Sequence, residues 1–298
     1  MSVKQQAVLI VNTKSRRGKE WFQQVKTTLE QSDLNLVGEW ACRRPADVIA
    51  KAKEATQNRI PLVIVGGGDG TLSAVARYFV GSQSTLGVLP LGTGNQFARD
   101  LGIDADVEVA CRVFTEGRAT EVDVGIAGDD YFLNVATVGL TTRIAEELTV
   151  DAKRKFGRFV YALALAHALQ RVRPFRATLT MPEGVKTYET LQIVVGNGRF
   201  HAGPFPLAPD ASITDGKLIA YVLATTSRWG LLKYALNLPG GHHVEMSEVA
   251  AFATTDMSLT TSPSERVTVD GEIPFRTPIR FGIAPRALRV MVPQEFAG

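Results

Sequence analysis

The segment from Pro61 to Thr71, Pro-Leu-Val-Ile-Val-Gly-Gly-Gly-Asp-Gly-Thr, constrains the fold of this chain more than any other. Leu62 to Val65 form an unbroken apolar run, the pattern of a strand buried on both faces of a parallel sheet. Gly66, Gly67 and Gly68 then let the backbone turn sharply and approach a ligand with no Cβ in the way. Leu72 to Arg77 reads as a helix. Strand, glycine turn and helix start make a phosphate site, because backbone N–H groups and the positive end of the helix dipole face the anion. The spacing is neither that of a Walker-type phosphate loop nor the glycine fingerprint of a dinucleotide fold. No lysine follows the glycines, and Asp69 stands among them. A carboxylate beside phosphate repels it unless a divalent cation lies between the two.

A similar unit recurs from Thr85 to Gly102, again strand, turn and helix. Its turn, Gly92-Thr93-Gly94-Asn95, offers a hydroxyl and an amide that donate to phosphate or base without adding charge. Upstream, Ala7 to Val11 reads as the first strand, and the polar loop Asn12 to Lys19 follows it. A basic, hydroxyl-rich loop there suits phosphate or ribose at the carboxyl edge of a parallel sheet, or is a solvated surface loop. Trp21, Phe22, Val25 and Leu29 then recur at helical spacing. Leu34 to Trp40 reads as a strand, and Ala46 to Thr56 as a helix with Pro45 at its start. A helix is expected over Val107 to Thr115 and a strand over Ala119 to Ala127. In that strand Val122, Val124 and Ile126 alternate with Glu121, Asp123 and Gly125, so Asp123 reads as a solvated position.

From Gly128 the alternation of strand and helix stops. Short strands are expected at Tyr131 to Thr137, Phe175 to Met181, Leu191 to Val195 and Lys217 to Leu223, a pattern of sandwich or barrel. A chain of 298 residues accommodates two such domains. The expected division is an α/β nucleotide domain over 1–127 and a β-rich domain over 128–283. A net charge of +3 is too small to argue for nucleic acid, although it is compatible with weak attraction to an anionic membrane. Cys42 and Cys111 lack metal-type spacing and suggest no disulfide framework. No apolar run approaches the roughly 20 residues that span a bilayer, and the polar N-terminus shows no signal peptide. A cytoplasmic protein is expected.

Gly67-Gly68-Asp69-Gly70-Thr71 resembles the nucleotide-binding motif of the diacylglycerol kinase catalytic-domain family, whose fold relatives include the NAD kinases. The second turn is similar to the family pattern Pro-x-Gly-Thr-x-Asn-Asp-Phe-Ala-Arg at Pro90, Gly92, Thr93, Asn95, Phe97, Ala98 and Arg99, with Gln96 in place of the Asp. Asn12, Ser15 and Gly18 match an Asn-Pro-x-Ser-Gly type loop that here lacks its Pro. Cys42 stands where relatives end the second strand with a nucleotide-contacting Thr. The resemblance implies a Rossmann-like α/β nucleotide domain followed by a C-terminal β-sandwich, with residues 284–298 returning to the first domain.

Two later segments gain a role from the resemblance. Asp210 to Leu218 contains an Asp-Gly turn before a strand; the resemblance implies a structural magnesium there, held by the Asp215 carboxylate and the carbonyls of Ser212 and Lys217. Arg266 to Pro274 carries Asp270-Gly271-Glu272, which as bare sequence is a hairpin turn. It is similar to the family's Asp-Gly-Glu signature, whose Glu is the catalytic base. Gly240-Gly-His-His243 reads as a glycine-rich loop rather than a metal site. Phe156 to Leu169 reads as a helix ringed by cations, either packed in the fold or resting on an anionic bilayer. The polar run Val195 to Gly198 and His201 to Pro204 resembles residues that lie near the cleft in relatives.

The function expected is transfer of the γ-phosphoryl of ATP to a lipid hydroxyl, on diacylglycerol or a phosphatidylglycerol-like lipid. Backbone of Gly66, Gly67, Gly68 and Gly70, with Thr71, Gly92, Thr93, Asn95 and Asn12, would hold the nucleotide. Asp69 would hold its Mg²⁺, and Glu272 would take the proton of the attacking hydroxyl. The rivals are an NAD kinase-like small-molecule kinase and a non-catalytic lipid-binding regulatory protein. A homodimer is left open.

Overall fold

The computed structural model describes residues 4–15, 17–147, 172–201, 205–206, 211–237, 242 and 246–298. The expected helix over 156–169 and the loop over 240–243 fall almost wholly outside these residues. The chain begins as regular alternation: β1 (Gln5–Asn12), α1 (Gly18–Glu30), β2 (Leu34–Cys42), α2 (Pro45–Gln57), β3 (Leu62–Gly67), α3 (Asp69–Ala76) and β4 (Thr85–Pro90). Then follow α4 (Gln96–Asp100), α5 (Val107–Glu116) and β5 (Arg118–Ala127). Strands β2, β1, β3 and β4 lie side by side and parallel. Leu9, Ile10, Leu62, Ile64, Leu86 and Val88 are fully buried, because helices cover both faces of this sheet. Register places Val11 beside Gly66 and Gly67 beside Pro90. The loops after β1, β3 and β4 therefore emerge together at one carboxyl edge, where an open α/β sheet binds its ligands.

The second half contains β6 (Asp130–Phe132), β7 (Val135–Gly139), α6 (Leu140–Glu147), β8 (Phe175–Met181), β9 (Gly184–Thr190) and β10 (Gln192–Gly196). After the short pair β11 (Phe200–His201) and β12 (Phe205–Pro206) come β13 (Leu218–Leu223), α7 (Arg228–Asn237), β14 (Val249–Thr254) and β15 (Asp256–Ser262). The chain ends with β16 (Arg266–Val269), β17 (Glu272–Arg276) and β18 (Ile279–Val292). One antiparallel sheet runs β14-β13-β10-β7-β16-β17. It packs on β18, β15 and β8 as a sandwich, with Val138, Ile193, Ala220 and Val267 facing Leu179, Leu259 and Phe281 in a shared core.

β18 joins the two halves. Ile279 to Gly282 pair with β15, Leu288 to Val292 pair with β5, and Val290 lies beside Leu86 of β4. The parallel sheet thus continues through β18 into β15, β8 and β9.

Three local expectations are corrected. The helix after the glycines starts at Asp69, not Leu72. The segment Tyr131 to Thr137 is two strands, broken at Leu133 and Asn134, whose N–H groups turn to the Asp270 carboxylate instead of a neighbouring strand. Asp123 is not solvated: it is 1% exposed, with its carboxylate bound to two backbone N–H groups.

Candidate active site

The two glycine turns lean on each other. A Cβ on Gly92 would stand 2.5 Å from the Cα of Gly68, and one on Gly67 would stand 2.5 Å from the Thr71 side chain. Neither position tolerates a larger residue without moving backbone or the start of α3. The Asn12 amide donates to the Thr71 hydroxyl at 2.9 Å and ties the end of β1 to the same helix. Asn12, Gly68, Gly70, Thr71 and Gly92 line a cavity of about 630 Å³. Gly70 leaves open space there, with no atom within 4 Å of where its Cβ would be.

The structure places the other expected residues as follows. Gly66 lies within β3, and its missing Cβ would press on Leu89, Leu91 and Val11. Asn95 is buried with φ of 50°. Its side-chain oxygen accepts the Gly92 N–H at 2.9 Å and its amide donates to the Gly92 carbonyl at 3.3 Å, so it staples its own turn. Thr93 is exposed at the tip of that turn. Cys42 is buried at the end of β2; its carbonyl accepts the Thr13 N–H and hydroxyl, each at 2.8 Å, while burial pushes the thiol pKa up.

Asp69, first residue of α3, points at the second turn. One carboxylate oxygen accepts the Phe97 N–H at 3.3 Å, and the other lies 2.8 Å from where a Cβ on Gly94 would be. Burial raises its pKa above the ordinary carboxylate range, the Phe97 and Gln96 N–H groups oppose this, and the charge of Asp270 adds to the rise. A half-buried carboxylate facing another acid beside a glycine turn is an environment that a divalent cation would balance.

Asp270 and Gly271 turn the chain between β16 and β17 with φ of 45° and 93°, and Val269 pairs with Glu272. This is a two-residue hairpin of the type that needs positive φ at both central positions. The hairpin also ties α3 to the segment before β7. The Asp270 carboxylate accepts the Leu133 N–H and the Ser73 hydroxyl on one oxygen, each at 2.8 Å. Its other oxygen accepts the Asn134 and Val135 N–H groups, each at 3.0 Å. Glu272, at the head of β17, is exposed and lines the same cavity as the glycine turns. At the rim Arg77 pairs with Asp130 at 3.0 Å.

The loop before β13 lies apart from this cavity. Asp215 accepts the Lys217 N–H at 2.9 Å and the Ser212 N–H at 3.3 Å. Asp123 accepts the Gly216 N–H at 2.7 Å and the Arg286 N–H at 2.8 Å. The Asn197 amide donates to the carbonyls of Asp123 and Leu133. Its side-chain oxygen, and both side-chain polar atoms of Asn134, are buried without a protein partner. Such atoms call for ordered water. Among the described residues no group of three or more His, Cys, Asp and Glu side chains converges. A cation at the loop would draw on one carboxylate, main-chain carbonyls and water, a donor set that fits Mg²⁺. Of the residues that matter here, Ser73 and Asp123 carry no motif signal; Ser73 is marked only by standing four positions after Asp69.

Comparison with known proteins places both halves of the chain in one family. The family model of the diacylglycerol kinase catalytic domain matches residues 6–127, and that of the YegS C-terminal NAD kinase beta sandwich-like domain matches residues 134–292. A probable lipid kinase YegS-like of Klebsiella pneumoniae is 31% identical over 303 residues, 99% of this chain and 98% of that one. A counterpart of Chromohalobacter salexigens is 31% identical over 260 residues, 84% of this chain and 82% of that one. The diacylglycerol kinase of Bacillus subtilis is 28% identical over 254 residues, 84% of each chain. The crystal structure of a putative diacylglycerol kinase from Bacillus anthracis shares the fold with a TM-score of 0.83 at 22% identity, covering 100% of this chain and 98% of that one. With both halves matched in order, the chain belongs to the diacylglycerol kinase catalytic-domain family, in the form that carries a YegS-type β-sandwich.

Proposed function

We propose that the protein transfers the γ-phosphoryl group of ATP to the hydroxyl of a lipid such as diacylglycerol or a phosphatidylglycerol-like lipid. The observation that carries this reading is the shared cavity: the glycine turns of the α/β half and Glu272 of the β-rich half line one space. The lobes would be 1–127 with 284–298 for the nucleotide and 128–283 for the lipid.

In this reading the N–H groups at the start of α3 and the turns at Gly68 and Gly92 bind the nucleotide phosphates, and Asn12 keeps Thr71 and that helix end in place. Glu272 accepts the proton of the lipid hydroxyl as its oxygen attacks phosphorus and the β-phosphate leaves. Asp69 would hold the Mg²⁺ of the nucleotide, which when bound offsets charge on the transferring group. Asp215, with the carbonyls of Ser212 and Lys217, would hold a structural Mg²⁺. No described helix is long and apolar enough to cross a membrane; a cytoplasmic protein that meets its lipid at a bilayer surface is the corresponding location.

The test is transfer of labelled γ-phosphate from ATP·Mg²⁺ into a panel of lipid micelles, with Glu272→Ala as control and NAD as a competing acceptor. Label in a lipid, lost in the variant, is expected. Label in NAD alone, or equal transfer by Glu272→Ala, overturns the assignment.

A further inference from the structure

We infer that Ser73 is a positioning residue, a latch that holds the hairpin of the general base in register with the helix at the nucleotide. The inference rests on the function proposed above for Glu272.

Asp69, Ser73 and Arg77 are spaced four apart along and just past α3, so they lie on one face of it. Each reaches across to a different part of the molecule. Asp69 meets the second glycine turn, Ser73 donates to Asp270 at 2.8 Å, and Arg77 pairs with Asp130 at 3.0 Å. Ser73 itself lines the cleft.

Asp270 is held from two sides that differ in kind. Three of its four donors are the consecutive N–H groups of Leu133, Asn134 and Val135, and its own N–H donates to the Val135 carbonyl at 2.9 Å. These bonds keep the hairpin on β7 whatever the α/β half does. The fourth donor, Ser73, is the one that comes from the nucleotide helix, 197 positions away in sequence. Glu272 makes no hydrogen bond or ion pair with another described side chain, so its placement follows from β17 and therefore from Asp270. Removing the Ser73 hydroxyl leaves the Asp270 nest intact but frees α3 to shift against it. The distance from the base to the phosphate would then be set loosely, and phosphoryl transfer depends on such positioning.

A serine on a short helix could instead bond to a nearby carboxylate for stability alone. The kinetics separate the two roles. In the intact protein, Ser73→Ala should lower kcat for the accepted lipid about 10- to 100-fold, the range for a hydrogen bond to a charged group. KM for ATP should stay within about twofold, because the glycine turns are untouched. Ser73→Asn keeps a donor at a position that lines the cavity, and should recover most of kcat. In an Asp270→Ala background, which has no acceptor for the Ser73 hydroxyl, Ser73→Ala should have little further effect on kcat or on the thermal midpoint. An unchanged kcat in Ser73→Ala, no recovery in Ser73→Asn, or equal effects in both backgrounds overturns the latch. If the unaltered protein phosphorylates no lipid, the functional reading fails instead, and coupling in the thermal midpoints still judges the Ser73–Asp270 bond.

Discussion

Replacing Asp123 by alanine tests the reasoning about buried carboxylates most severely. The residue is 1% exposed in β5. Its two oxygens accept the N–H groups of Gly216 and Arg286, at 2.7 and 2.8 Å. The first fixes the loop before β13; the second holds the β18 bulge, where Arg286 has φ of 51°. Each bond joins a buried charged acceptor to a part-buried donor, worth about 1.5–3 kcal/mol, and alanine leaves both N–H groups without this partner. The expected loss is about 3–6 kcal/mol. At about 2 °C per kcal/mol for a chain of 298 residues, the thermal midpoint should fall by about 6–12 °C. Asp123→Asn keeps one acceptor but turns an amide toward the other N–H, so it should lose about half as much. Differential scanning fluorimetry of the three proteins decides the matter. A midpoint for Asp123→Ala within about 2 °C of the unaltered protein would show that the carboxylate sits in a solvated edge, and would refute the argument.

The other expectations follow from single contacts. Glu272→Ala should reduce lipid phosphorylation by about 10²–10⁴-fold, yet leave the thermal midpoint almost unchanged because the side chain is exposed; parallel assays check both. Gly92→Ala forces a methyl to 2.5 Å from the Gly68 Cα, so ATP should no longer raise the melting midpoint, as read by nucleotide titration. Asp69 has a raised pKa, chiefly through burial. A carboxyl whose folded pKa lies above its unfolded one contributes stability fully below the unfolded value and loses it as pH rises through the folded value. Asp69→Asn should therefore stabilise the nucleotide-free protein at pH 7 and by less near pH 4, as measured by urea unfolding at both pH values.

The parallel half was legible because its signals are local. Leu62 to Val65 is apolar on every residue since β3 is covered on both faces, and the glycines mark the turn that follows. The break between β6 and β7 was not legible: Tyr131 to Thr137 has the composition of one strand, and what divides it is a carboxylate 137 positions away. Asp123 misled for a similar reason. Its alternation with Val122 and Val124 is that of a strand with a wet face, but that face is covered by the loop at Gly216, 93 positions on, and by Arg286, 163 positions on. Periodicity reports which residues share a face; it carries no information on what packs there. Asp270-Gly271 shows the converse, since the hairpin signal is local to these two residues and the hairpin forms in the structure.

The acids of this chain divide their tasks by how many lone pairs the backbone has already taken. A carboxylate offers about four acceptor sites. Asp270 has four donors on it, and Asp123 has two strong N–H bonds inside a buried seam. Asp270, with its acceptor sites filled, holds parts of the fold together and has little left for a cation or a substrate proton. Asp69 has a long 3.3 Å bond to Phe97 and a raised pKa, and Glu272 stands exposed in the cleft at the end of a hairpin. Glu272 keeps free oxygen lone pairs next to the glycine turns, while Asp69 accepts N–H groups of the second turn. In the proposed function Asp69, at the N-terminal end of α3, holds the metal and Glu272, on the β-rich half, takes the proton. Exchanging either for its amide should therefore cost turnover and not fold, whereas the same exchange at Asp123 or Asp270 should cost fold as well.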